Sequence, residues 1–334
     1  MPSSIVRTFA DPDSYQAAIR ARRVEGVITA RGNFHAELTR VDFDRLLMQR
    51  ADESLPRVLH ISTTPQRAAV MFATDQDEPA IHVSGTALSS GEILAWGSEL
   101  ATHHRSAAPC KWGSMSLTRE DLAAAGEAII GRELAPPSFP QRIRPPAPAV
   151  SRLLNLHEAA GHLAKTAPDI LAKPEVARAM EQALVEAMVS CLASGDPVDG
   201  RSVHRHHSTV MRRLEEVPQV NSEGPLYMAE LCAAVGVSYP TLRACCWEHL
   251  GMSPKRYLWL RRMHLARRAL RKADPESTTV TETATNYGFW ELGRFSVVYR
   301  SLFGESPSTT LRRPPNDPKN GGIARSLWEF TKSA

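Results

Sequence analysis

Short runs of alternating apolar and polar residues fill the first third of the chain and predict β-strands. They lie between about residues 26 and 117, and turn-forming residues such as Pro56, Pro65 and Gly91 separate them. Short strands at this spacing are typical of a small antiparallel barrel or sandwich. The predicted strands include residues 34–38, 57–61, 68–72, 81–83 and 92–96.

The apolar spacing changes to a helical period after residue 117. Thr118 and Asp121 have the spacing of a capping box and begin an Ala-rich helix. Six prolines within residues 136–148 predict a stiff extended segment. The predicted helices are about 118–131, 149–166 and 174–194.

The third of these helices carries an apolar stripe on every fourth residue. Such a stripe is more often part of a domain core than a dimer seam, and both interpretations stay open here. The stripe consists of Val176, Met180, Leu184, Met188 and Leu192.

A Gly- and Pro-rich range, residues 196–224, predicts a linker, and a helix-turn-helix pattern follows it. Helical spacing ends at Gly236, a residue that readily adopts the left-handed conformation. Ser238 is suited to cap a second helix, which we predict over residues 239–250. Helix, glycine turn and capped helix together define the motif.

The pattern then recurs. A long, Arg-rich helix begins at Pro254 and runs through Lys272. A short helix from Val280 ends at Gly288, and another helix is predicted from Leu292 to Phe303.

Charge is unevenly distributed, although the net charge of the whole chain is only +4. Residues 225–313 contain 13 Lys and Arg against 7 Asp and Glu, whereas residues 1–224 contain 24 against 27. A basic module on a slightly acidic body suggests a polyanionic partner for the module.

Residues 225–313 carry five short motifs at ordered spacing. They are Cys232-x-x-x-Gly236-x-Ser238, Gly251-Met252-Ser253-Pro254-x-x-Tyr257-Leu258, Arg262-Met263-x-x-Ala266-Arg267-x-x-Leu270, Ala284-x-x-x-Gly288-Phe289 and Phe303-Gly304-x-Ser306-Pro307. Through these motifs the segment resembles the DNA-binding domain of the AraC/XylS family of transcription regulators. In that family, two helix-turn-helix units joined by one rigid helix read two major-groove segments about 34 Å apart. Pro240 and Cys245-Cys246-Trp247 depart from the family pattern, and Cys232 replaces its alanine.

The resemblance implies an α+β chain. Residues 1–195 would form an effector-binding or dimerisation domain, a small cupin-like antiparallel β-barrel followed by helices. Residues 225–313 would form the all-α double helix-turn-helix domain, and residues 314–334 a C-terminal tail. Its implied partners are double-stranded DNA, RNA polymerase, a small-molecule effector and a second copy of the chain.

Base-reading side chains must project from the N-terminal half of each second helix, away from the core. Arg243 and Arg294 are suited to pair with guanine O6 and N7, although phosphate contact is an equally open role. The candidate base readers are Tyr239, Pro240, Arg243 and Ala244 in the first unit, and Glu291, Leu292, Arg294 and Val297 in the second. The candidate phosphate contacts are Ser238, Lys255 and Arg300. Arginines 261, 262, 267 and 268 are expected to include members of intramolecular ion pairs.

A small molecule would bind inside the barrel, although a plain core role is the more common one for each candidate. The candidate pocket residues are His60, Phe72, His82, Trp96 and Trp112. We expect no cofactor. We also expect no metal site, because His157 and His162 stand five apart and point in different directions on a helix. His103-His104 also lacks the ligand pattern of a metal-binding cupin.

The sequence shows no catalytic motif, no membrane-spanning stretch and no secretory signal, and its five cysteines form no C-x-x-C pair. We therefore expect a non-enzymatic protein of the bacterial cytoplasm, associated with the nucleoid. Cys245 and Cys246 are adjacent, so we expect one packed and one partly exposed thiol.

The leading hypothesis is an effector-controlled transcription activator. The alternatives are a constitutive regulator whose N-terminal domain only dimerises or docks on a protein, and a cupin-like enzyme fused to a DNA reader.

Overall fold

The computed structural model describes residues 2–62, 66–75, 81–97, 101–137, 139–198, 203–217 and 227–313. The strands are β1 Ser3–Phe9, β2 Arg23–Ile28, β3 Ala36–Asp42, β4 Leu47–Glu53, β5 Arg57–Ser62, β6 Arg67–Ala73, β7 Ile81–Val83, β8 Thr86–Leu88, β9 Ile93–Trp96, β10 Ala101–Ser106, β11 Cys110–Thr118, β12 Gln141–Arg144 and β13 Asp196–Val198. The helices are α1 Pro12–Ala18, α2 Arg119–Ile130, α3 Ala147–Thr166, α4 Pro168–Leu171, α5 Pro174–Ser194, α6 Val203–Glu216, α7 Met228–Val235, α8 Tyr239–Leu250, α9 Pro254–Lys272, α10 Val280–Asn286, α11 Leu292–Phe303 and α12 Pro307–Arg312.

Two antiparallel sheets form the predicted barrel. The larger has the strand order β1-β3-β4-β11-β6-β9-β12-β13, and the smaller has the order β2-β5-β10-β7-β8. Side chains alternate between the two faces of a strand. Met71, Leu94 and Trp112 of the larger sheet therefore share one core with Leu59 and Val83 of the smaller sheet.

The opposite face of the larger sheet is covered by α2, α3 and α5. Val70 and Met115 pack there against Leu153, Leu184 and Met188. The apolar stripe on α5 therefore belongs to the domain core. Thr118 caps α2 as predicted, since its Oγ accepts from the backbone N–H of Asp121 at 3.0 Å.

The structure adds elements that the sequence pattern did not indicate. Strand β1 pairs with β3 at the edge of the larger sheet, and α1 lies between β1 and β2. The range predicted as a linker contains β13, which pairs with β12, and α6. Helix α6 packs on the C-terminal domain through its buried residues Val210, Met211 and Leu214. Among the described residues, no helix has the length and apolarity needed to cross a membrane.

Two helix-turn-helix units form the C-terminal domain. In the first unit, α7 ends at Gly236 with φ 77°, and Ser238 caps α8. In the second, α10 is followed by Gly288 with φ 76° and then by α11. Helix α9 joins the units, and the observed bounds of α8, α9 and α11 confirm the predicted ones.

The prediction that one of the two adjacent cysteines is exposed was wrong. Cys245 and Cys246 are both 0% exposed. On α8, Cys246 and Leu250 belong to the helical core, whereas His249 faces His103 of β10, with ring centroids 6.1 Å apart. Because the N-terminal domain covers the second side of α8, both thiols are shielded from solvent.

Candidate nucleic-acid interface

The first unit presents the predicted reading side of α8 to solvent. Tyr239, Pro240, Arg243 and Ala244 are all exposed. Ser238 accepts from the backbone N–H of Thr241 at 3.4 Å, which places its hydroxyl at the helix start. A helix N-terminus with exposed N–H groups attracts a phosphate. The four candidate base readers of this unit therefore lie together, beside one candidate phosphate contact.

The second unit presents α11 in the same way. The side chains of Arg294 and Glu291 are 77% and 76% exposed, and the 3.7 Å between them makes only a loose ion pair. Val297 is 71% exposed. Leu292 differs from the other candidates, because it is half-buried and packs against the helical core.

Two exposed tryptophans extend these surfaces and were missed from the sequence. Trp247 is 51% exposed and lies one turn after Arg243 on α8. Trp290 is 71% exposed in the turn before α11. Helical spacing alone places Trp247 on the face of Arg243, so the signal was present in the sequence.

Lys255 and Arg300 are exposed, as candidate phosphate contacts must be. Several arginines of α9 are engaged in ion pairs within the chain. Arg261 lies 2.9 Å from Glu215, Arg267 lies 2.6 Å from Asp11, and Arg268 lies 2.8 Å from Asp13. These contacts confirm the expectation that α9 supplies intramolecular ion pairs.

The barrel contains a cavity of about 310 Å³. Trp96 and Trp112 line it, together with the polar side chains Arg20, Gln49, Arg67, His104 and Ser114. Arg67 donates to Ser116 Oγ at 3.1 Å and to the Ser116 carbonyl at 2.6 Å. The wall of this cavity is thus mixed, with aromatic faces and fixed hydrogen-bonding groups, as in small-molecule sites.

The other three candidate pocket residues lie elsewhere. Phe72 faces the helices, with its ring centroid 4.9 Å from that of His157. His60 lies on the outer face of the smaller sheet, 5.0 Å from His103 between ring centroids. His82 pairs in register with Arg105, whose side chain approaches Gly251 of the C-terminal domain. The structure therefore brings together only Trp96 and Trp112 of the five.

Two buried histidines of the N-terminal domain, His104 and His157, are neutral at neutral pH. Burial lowers the pKa of His104 to about 3 and that of His157 to about 3. His104 Nε2 lies 3.0 Å from Thr102 Oγ, and His157 Nε2 lies 3.1 Å from the Gln49 carbonyl oxygen. Among the residues that the structure describes, no three His, Cys, Asp or Glu side chains are arranged to hold a metal ion.

Comparison with known proteins finds the same domain. Residues 231–313 match a family described as a helix-turn-helix domain. A probable thc operon regulatory protein of Rhodococcus erythropolis is 35% identical over 153 residues, which are 43% of this chain and 46% of the relative. A XylDLEGF operon transcriptional activator of Pseudomonas putida is 46% identical over 113 residues, or 34% of each chain. Each match thus spans less than half of its relative.

Among solved structures, the AraC-like transcriptional activator CuxR aligns with 79% of this chain and 95% of its own, at 15% identity and a TM-score of 0.42. The exposed recognition helices and the rigid α9 define the C-terminal module as a double helix-turn-helix DNA-binding domain. In its motifs, in the helix-turn-helix family that it matches and in its operon-regulator relatives, this domain resembles the DNA-binding domain of the AraC/XylS family.

Proposed function

We propose that the protein is a sequence-specific DNA-binding transcription regulator of the activator type. The observation that carries this proposal is the pair of exposed recognition helices. Each has an exposed arginine in its N-terminal half, Arg243 on α8 and Arg294 on α11, while the rest of its unit is fixed by the core. Arg243 would read a guanine from α8, and Arg294 would read a guanine from α11. Ser238, Lys255 and Arg300 would hold phosphates and set the register.

The test is selection of random duplex DNA by the full-length protein, repeated across salt concentrations. We expect two short elements about one helical turn, or about 34 Å, apart, with an affinity that falls steeply with salt. Arg294→Ala should weaken binding by about 1–3 kcal/mol and relax specificity at one base pair of one element. Arg243→Ala should do the same at the other element.

Arg212→Ala is the matched control. Arg212 is an exposed arginine that pairs with Glu216 at 2.7 Å and belongs to α6, not to a recognition helix. Its loss should leave the selected sequence unchanged. If folded protein selects no sequence, or if Arg243→Ala and Arg294→Ala leave selection unchanged, the proposal is wrong.

The N-terminal domain is proposed to bind a small-molecule effector in the cavity of about 310 Å³. The supporting observation is that the barrel interior is only partly filled by side chains around Trp96 and Trp112. Ala69→Leu would add bulk to this wall, whereas Ala172→Leu adds the same bulk at an exposed position. A thermal-shift screen of small organic acids, sugars and aromatic compounds should find compounds that stabilise the wild type and Ala172→Leu but not Ala69→Leu.

A regulator of this kind would also contact RNA polymerase and could act as a homodimer in the bacterial cytoplasm, on the nucleoid. Sedimentation of the protein with and without its selected DNA tests the dimer. If no compound changes its stability, DNA binding or transcription, the constitutive regulator becomes the better proposal. The regulatory names of the matched relatives support a non-enzymatic role.

A further inference from the structure

Arg267 of α9 connects the N-terminal domain with the second helix-turn-helix unit. Its side chain is only 4% exposed. On one side it lies 2.6 Å from Asp11 and 3.2 Å from Asp13. On the other side it lies 3.6 Å from Glu305, and its guanidinium carbon stands 5.1 Å from the ring centroid of Phe303. Phe303 is the last residue of α11, so one buried cation reaches from β1–α1 to the end of the second recognition helix.

Asp11 is itself held firmly. It is 1% exposed and caps α1, accepting from the Ser14 backbone N–H at 2.8 Å and from the Ser14 hydroxyl at 2.6 Å. Arg271 is a further partner of its carboxylate. Burial raises the pKa of Asp11, but Arg267 and Arg271 outweigh that effect and hold it below its usual range. The carboxylate is therefore charged at neutral pH.

A second contact holds the same end of α11. The ring of Phe303 packs edge-on against His264, with 5.0 Å between centroids. His264 Nε2 in turn accepts from the backbone N–H of Ile28 in β2, at 3.1 Å. A side chain at Gly304 would approach Asn33 to 3.0 Å. The N-terminal domain thus reaches the C-terminal end of α11 through Arg267 and His264 of α9, and Asn33 lies beside Gly304.

The first unit is held by a different set of residues. Glu215 of α6 lies 3.0 Å from His103 of β10 and accepts from the Tyr257 hydroxyl at 2.6 Å. Arg105 of β10 reaches Gly251, just after α8. The two sets of contacts therefore meet α9 at different places, Glu215 at Tyr257 near its start and Asp11 at Arg267 near its end.

We propose that Asp11 and Arg267 are positioning residues for the second DNA reader, which set the direction of α11 relative to α8. The proposal rests on the proposed DNA-binding function. The DNA-reading sides of α8 and α11 are both exposed in the structure in which Asp11 contacts Arg267. This contact between the domains therefore leaves both helices accessible to DNA. A reader of two groove segments needs a fixed angle between its recognition helices, since each must enter its own segment.

The test is Asp11→Asn in the full-length protein. Asparagine caps a helix as well as aspartate does, so the change removes the charge and keeps the cap. The Arg243→Ala and Arg294→Ala selections identify which element each helix reads. Asp11→Asn should then reduce discrimination at the Arg294-dependent element by about tenfold, a typical coupling between sites. Discrimination at the Arg243-dependent element should stay within about twofold of the wild type.

Two further variants make the result specific. Lys165→Gln removes an exposed ion pair with Glu37 elsewhere in the N-terminal domain and should change neither element. Glu215→Gln disturbs the contact set of the first unit and should give the opposite pattern, with a loss at the Arg243-dependent element. If thermal unfolding shows that Asp11→Asn does not fold, the test uses Asp13→Asn instead. Asp13→Asn weakens the same ion-pair cluster around Arg267 but keeps the Asp11–Arg267 contact.

An equal loss at both elements, or no loss in folded Asp11→Asn, would overturn the positioning role. An increase in discrimination would overturn it too, because it would show that the contact restrains the reader. If the wild type selects no sequence, the proposed function fails first and this inference with it.

Discussion

Glu53 is the centre of a buried polar cluster that holds the barrel together beside its cavity. Its carboxylate is 0% exposed and lies 2.6 Å from Arg57 Nε. Tyr15 donates to it at 2.6 Å, and Trp112 Nε1 donates at 2.5 Å. Since Trp112 also lines the cavity, the cluster fixes one wall of the proposed effector site.

Glu53→Ala should destabilise the folded protein by about 3–5 kcal/mol, because Arg57 would stay buried without a counter-charge. That is a large part of the ~5–15 kcal/mol by which a typical domain is stable. The side chain of Arg57 is only 2% exposed and cannot reach solvent without movement of the strand. Replacing both partners by apolar residues, Glu53→Leu with Arg57→Met, should cost far less than the single change.

Urea unfolding of the two single variants, the double variant and the wild type measures these differences, and a double-mutant cycle isolates the coupling. Asp52→Ala is the control, since Asp52 neighbours Glu53 but is exposed. A cost below about 1 kcal/mol for Glu53→Ala, the range of an exposed pair, would refute the reasoning. So would a double variant that is less stable than either single variant.

Three further predictions follow from the described contacts. Burial raises the pKa of Glu53, but Arg57 outweighs that effect and lowers the pKa below its ordinary value of about 4.5. The ionised Glu53 therefore stabilises the folded protein fully above about pH 4.5, and this stabilisation is lost as the pH falls further. Urea unfolding midpoints should decline below that pH in the wild type, and they should decline less in the double variant Glu53→Leu with Arg57→Met. Gly288→Val places a β-branched residue at φ 76°, which should cost about 1–3 kcal/mol and weaken reading by α11, whereas an unchanged unfolding midpoint would contradict this. In folded protein Cys232 should react quickly with a thiol reagent, because it is only half-buried and the other four cysteines are buried; fast reaction of Cys245 or Cys246, identified by mass spectrometry, would be inconsistent with the domain contact over α8.

Local signals explain why the helix-turn-helix units were predictable. A left-handed turn requires glycine, as at Gly236 and Gly288, and a cap requires a short polar side chain, as at Ser238. Both requirements act within a few residues, so they are visible in the sequence. The exposed positions of Arg243 and Arg294 follow from the same helical geometry.

The beginning of the chain gave weaker signals. Strand β1 is mostly half-buried, so it lacks a clear alternation of apolar and polar residues, and α1 has only seven residues. Val210, Met211 and Leu214 of α6 have helical spacing, but a basic, His-rich run surrounds them and resembles a linker. Competing local patterns thus concealed these elements.

Residue order by itself determined the two recognition helices, the turns between helices and the sheet-then-helix order of the N-terminal domain, because each depends on neighbours within about one or two turns of chain. Tertiary structure decided which charges and aromatic residues meet. Asp11 and Arg267 are 256 residues apart in sequence, and Trp96 and Trp112 share a cavity that excludes Phe72. Such contacts depend on how sheets and helices pack, which is a property of the whole fold and of no local pattern.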